Sequence, residues 1–130
     1  MTRTITAPYE ITQWDEVAYD TPGEGPALAR VTVVKAFTGP LQGTSVAELL
    51  TAQGPGGNGY VASERLAVAL DGREGTFVLQ HGGSDDPTGE SRTFGSVVPG
   101  SGTGGLAGLR GTVRFAHDAD GARMTLAYEL

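Results

Sequence analysis

Lys35, Glu48, Glu64 and His81 are the residues of this chain whose types could do chemistry together. Each lies in a run of alternating apolar and polar residues, so a hairpin register decides which face it occupies. Two carboxylates in contact cannot both ionise cheaply, and a poorly hydrated surrounding raises their pKa further. A neighbouring ammonium or imidazolium offsets that cost. Carboxyl groups tuned toward neutrality suit acid–base catalysis, with Glu64 and His81 as the acid–base pair. The same groups would otherwise form a structural network or orient a ligand. The expected ligand contacts are Lys35, Glu48, Tyr60, Phe77, Trp14 and Tyr128. Trp14 stands in the polar run Gln13-Trp14-Asp15-Glu16, where it either plugs one end of the fold or lines the mouth of a pocket.

Other motifs have plainer explanations. His81 and His117 are the only histidines and cysteine is absent, so thiolate metal sites are excluded and the two imidazoles have no converging spacing. Neither a metal nor another cofactor is expected. Gly100-x-Gly102-x-x-Gly105 matches a dinucleotide fingerprint by letter, but an alternating strand follows it instead of a helix. Asp118-x-Asp120-Gly121 resembles a calcium-loop fragment and reads better as a hairpin turn. Ser101 and Thr103 lack the strand–turn–helix elbow of a nucleophile and read as turn hydroxyls that cap backbone groups.

The elements that must position these residues are strands. Alternation with turn punctuation covers most of the chain and helical periodicity is nearly absent. The expected strands run over 4–17, 28–37, 44–52, 60–70, 75–81, 91–99, 109–118 and 122–130. Gly, Pro, Asn or Asp marks each break, as in Asp71-Gly72 and Asp120-Gly121. An open sheet of so many strands would leave two edges, so a closed antiparallel eight-stranded β-barrel, mostly meander, is the expected all-β fold over a single domain, residues 1–130. Registers that keep apolar residues together set Ala52 opposite Tyr60, Phe37 opposite Thr44, Val68 opposite Phe77, and Val113 opposite Tyr128. They bring Glu48 opposite Glu64, Glu64 opposite His81, and Lys35 diagonal to Glu48, all on the interior face.

Composition bounds the function. The formal charge is −6, from nine basic and fifteen acidic residues, and Lys35 is the only lysine. Nucleic-acid binding needs clustered cations and is not expected. No long apolar stretch argues for membrane insertion, and Met1-Thr2-Arg3-Thr4-Ile5-Thr6 has no signal-peptide character, so a cytoplasmic protein is expected.

The segment Val97-Val98-Pro99-Gly100-Ser101-Gly102-Thr103-Gly104-Gly105-Leu106-Ala107-Gly108-Leu109-Arg110-Gly111 carries a resemblance. So do Phe37-Thr38-Gly39-Pro40-Leu41-Gln42-Gly43-Thr44-Ser45, Asp71-Gly72-Arg73-Glu74-Gly75-Thr76-Phe77-Val78-Leu79-Gln80-His81 and Leu126-Ala127-Tyr128-Glu129-Leu130. These pieces resemble the bacterial domain-of-unknown-function family 3224 over essentially the whole chain. The glycine-rich segment is also similar to a strand of dirigent and allene oxide cyclase proteins. The resemblance implies an allene oxide cyclase-like barrel and leaves the activity open, because fold does not carry function. The first expectation is a barrel that binds a small, largely apolar ligand in its lumen. The second, by analogy with the cyclases, is an isomerase or cyclase using Glu64 and His81. The third is a filled barrel that acts as a homo-oligomeric interaction module.

Overall fold

The computed structural model describes residues 2–130. Eight antiparallel strands close into a meander barrel in chain order. They are β1 (Arg3–Asp20), β2 (Ala27–Phe37), β3 (Leu41–Gly54), β4 (Gly57–Leu70), β5 (Arg73–Asp85), β6 (Ser91–Val97), β7 (Arg110–Asp118) and β8 (Gly121–Glu129). One 3₁₀ turn over Gly104–Leu106 is the helical element among the described residues. Among the described residues, no helix is long and apolar enough to cross a membrane.

One end of the barrel is packed and the other is open. Leu41, Leu66, Leu70, Phe77, Leu79, Met124 and Leu126 fill the closed end, all fully buried. Leu106 and Leu109, from the loop between β6 and β7, cap it. That loop is rich in glycine and lies outside the strands. It folds across the barrel bottom and is tied to β5. Thr103 Oγ1 accepts from Thr76 N at 3.1 Å and Ser101 Oγ accepts from Val78 N at 3.1 Å. Both hydroxyls therefore cap backbone, as the sequence indicated. The loop's glycines allow the close packing: a Cβ at Gly102 would collide with the Leu106 carbonyl.

At the open end the wall has uneven height. β1 pairs with β8 only from Arg3 to Pro8, whereas its pairing with β2 continues to Asp20. β6 meets β7 at the single pair Ser96–Thr112. A register shift between Ile11 and Gln13 marks a β-bulge in β1. The extra residue re-aims the strand, so Trp14 lies opposite the inward-facing Val33.

Two hairpin registers differ from the sequence reading by two residues, which preserves the face. Asp71-Gly72 is a two-residue turn with φ of 52° and 77°, so Leu66 rather than Val68 lies opposite Phe77, and His81 lies opposite Ala62. On β7–β8, Val113 lies opposite Leu126 and not Tyr128. The registers around β3 differ by one, which inverts the face. Phe37 pairs with Gly43 and Tyr60 pairs with Thr51. Val46, Glu48 and Leu50 therefore face outward, and Ser45, Ala47, Leu49 and Thr51 face inward.

Candidate functional site

Three of the four titratable residues singled out above meet inside the barrel. Glu64 on β4 is 0% exposed, His81 on β5 is 4% exposed and Lys35 on β2 is 6% exposed. Glu64 Oε1 accepts from Lys35 Nζ at 3.1 Å and lies 2.8 Å from His81 Nε2. The other carboxylate oxygen accepts from Ser45 Oγ at 2.6 Å. The alternating pattern of each strand puts these polar groups on the inner face, where an unpaired charge would be prohibitive. Each is paired: no buried side-chain nitrogen or oxygen lacks a partner among the described residues.

Glu48 is not part of this cluster. It lies opposite Thr32 and Ser63 on the outer face. There it accepts from Arg30 Nε at 3.2 Å and from Thr32 Oγ1 at 2.9 Å. The single-residue slip of β3 moved it from lumen to surface. The inner carboxylate therefore faces a cation instead of a second carboxylate.

That exchange reverses the expected tuning. Burial pushes the Glu64 carboxyl up, but the His81 hydrogen bond, the Lys35 charge and the Ser45 hydrogen bond together leave it below the ordinary carboxylate value. Glu64 is thus an ion. A carboxylate only accepts, so His81 carries a proton on Nε2. Lys35 Nζ is further held 4.3 Å from the centre of the Phe115 ring and 4.8 Å from that of Tyr9. Burial first, and then the Glu64 charge and Tyr60, push the Tyr9 hydroxyl up to about 12.

A residue that sequence reasoning placed among the ligand contacts completes the chain. Tyr60 OH lies 2.9 Å from His81 Nδ1. Burial and the Glu64 charge raise its pKa, so it is a neutral phenol. In the tautomer that carries its proton on Nε2 alone, directed at Glu64, Nδ1 accepts and Tyr60 donates. The result is a continuous hydrogen-bonded chain from Glu64 through His81 to Tyr60.

Tyr60 also lines the open mouth. A recess of about 560 Å³ lies between Trp14, Leu49, Thr51, Gln53, Tyr60 and Thr93, with Asn58, Ser84, Asp85 and Ser91 at its rim. Asp85 is the one charged side chain among the lining residues. Trp14 is 51% exposed, so it borders the recess instead of plugging the barrel. Its indole Nε1 donates to Glu16 Oε1 at 3.1 Å. The β1 bulge that turns Trp14 inward has no signature in the polar run around it. Phe77 and Tyr128 belong to the packed core and do not line this recess. His117 is exposed near the end of β7, apart from the buried His81.

The comparisons with known proteins agree with this architecture. No curated protein matches the chain. The crystal structure of a protein of unknown function from the DUF3224 family of Shewanella oneidensis MR-1 superposes with a TM-score of 0.88 at 32% sequence identity. The match covers 100% of this chain and 98% of that one. The family model described as "Protein of unknown function (DUF3224)" matches residues 5–130, a span that includes all four members of the Lys35–Glu64–His81–Tyr60 cluster and the mouth above it. The chain belongs to the DUF3224 family.

Proposed function

We propose that this barrel binds a small, uncharged and largely apolar molecule in the recess at its open end. The observation that carries this reading is the division of the interior. The closed end is packed solid, whereas the mouth is a recess of about 560 Å³ lined in part by Tyr60, the last member of the hydrogen-bonded chain. That volume lies in the range of small-molecule sites, and apolar walls with a few fixed polar groups are their usual make-up. Trp14 and Leu49 offer apolar surface, and Thr51 and the Tyr60 hydroxyl offer orientation. Asp85 disfavours anionic ligands, as does the formal charge of −6.

Trp14 is the only tryptophan, so its fluorescence reports directly on the recess. Titration with naphthol and with cyclohexenones should quench it saturably. Thr93→Phe, which fills the recess from an exposed position, should abolish the quenching without lowering the melting temperature. Quenching that does not saturate, or that survives in Thr93→Phe, would remove the support for a mouth site.

A further inference from the structure

We propose that Tyr60 is a catalytic residue that transfers protons to and from an uncharged β,γ-unsaturated ketone in the recess, at the open end of the Glu64–His81–Tyr60 chain. The inference rests on the ligand-binding reading above and adds a reaction to it.

The geometry supplies both halves of a proton relay. Tyr60 OH is 2.9 Å from His81 Nδ1, and His81 Nε2 is 2.8 Å from Glu64 Oε1. In the tautomer with the imidazole proton on Nε2 alone, Tyr60 donates to His81, which leaves the lone pairs of its oxygen to the recess that it lines. When that oxygen takes a proton from a ligand, its own proton passes to Nδ1. The imidazolium formed is held by an ionised carboxylate already in place, which is the arrangement that activates a weak base beside a histidine. Ser45 and Lys35 fix the carboxylate on its remaining sides and act as positioning residues.

The surroundings restrict the substrate class. Lys35, the cation nearest the relay, is committed to Glu64 and enclosed by Tyr9 and Phe115. It does not line the recess, whose one charged lining group is Asp85. Among the described residues, no cation therefore lines the recess to hold a localised oxyanion. Negative charge formed at the ligand must be spread by the ligand itself, which a conjugated enolate does. A flat ring also suits a recess bordered by the Trp14 indole and the Tyr60 phenol.

The reaction balances without an oxidant or reductant. In a β,γ-unsaturated ketone the α C–H bond breaks as its proton goes to the Tyr60 oxygen, and the Tyr60 proton moves to Nδ1. The electron pair spreads over the carbonyl and the alkene as a dienolate. The Nδ1 proton then returns to Tyr60, and Tyr60 delivers a proton to the γ carbon. The product is the conjugated α,β-unsaturated ketone, and the protein returns to its starting state.

The test uses the full chain with the β,γ-unsaturated isomer of cyclohexenone, following conversion by ultraviolet absorbance and binding by Trp14 fluorescence. Wild type should convert it faster than buffer alone. Tyr60→Phe should lower kcat by about 100-fold or more, the scale of one general acid–base group, with a far smaller change in the Kd from Trp14 quenching. His81→Gln should lower kcat in the same way. Tyr60→Phe lacks only the hydroxyl oxygen, so a melting temperature near that of wild type separates lost chemistry from lost fold. Wild-type conversion rates in Tyr60→Phe would overturn the inference. So would saturable quenching of the wild type with no conversion, an outcome that leaves the binding reading standing. Absence of quenching would sink both.

Discussion

At the scale of single residues, two glutamates of the same type on adjacent strands have opposite surroundings. Glu64 is fully buried between Lys35 and His81, whereas Glu48 sits on the outer face against Arg30. Removing one member of a buried ion pair leaves its partner unpaired, and that costs about 3–5 kcal/mol. Glu64→Gln should destabilise on that scale, because Lys35 stays buried. Glu48→Ala should cost less than about 1 kcal/mol, as exposed pairs do. Chemical denaturation of the two variants at neutral pH measures both, and equal costs would contradict the placement. The pH dependence has a definite sign. The folded-state pKa of Glu64 lies below its ordinary value of 4.5, so its ionised form stabilises the fold above that pH. This contribution is lost as pH falls through the lower folded value. The gap between wild type and Glu64→Gln should therefore narrow below about pH 4.5.

At the scale of elements, the loop between β6 and β7 decides whether the barrel has a closed end. Gly108 has φ of +87° with open space around it, so a side chain there meets backbone strain and no neighbour. Gly108→Val should destabilise by about 1–3 kcal/mol. Gly108→Asn should cost less, since Asn tolerates the left-handed region better. Thermal melts of the pair separate strain from packing: equal losses would show that conformation at this position is not the cause. The positions of the hairpin turns were legible because their chemistry is local, but two of the registers they set were two residues off. Asp71-Gly72 takes positive φ at both residues, as its letters imply. The glycine-rich stretch after Gln53 was misleading for the opposite reason. It looks like a long loop, yet only Pro55 and Gly56 turn, and Gly57, Asn58 and Gly59 continue β4.

At the scale of the whole molecule, closure is uneven and so is the expected stability. β4 is paired along its length on both sides, whereas β6 touches β7 at one pair. Local opening follows the weakest ladder. Hydrogen exchange followed by mass spectrometry should show β6 amides exchanging before those of β4, and the reverse order would contradict a seam at β6–β7. The sequence by itself determined the strand count, the meander, the approximate turn positions and the inward placement of Lys35, Glu64 and His81. Those features rest on local alternation and turn chemistry, and a two-residue error in register leaves the face unchanged. Only the tertiary structure decided the face of β3. That strand carries apolar residues at both parities, Val46 and Leu50 on one and Leu41, Ala47 and Leu49 on the other, so alternation alone favours neither. In the closed barrel Gly43 lies opposite Phe37 on one side and against Val68 on the other, with no room for a Cβ, and Glu48 faces outward. The same is true of Trp14, which a bulge aims into the mouth, and of the Tyr60–His81 contact, which spans a diagonal between strands. Bulges and diagonal contacts depend on how each strand fits two neighbours at once, and closing the barrel is what imposes that condition.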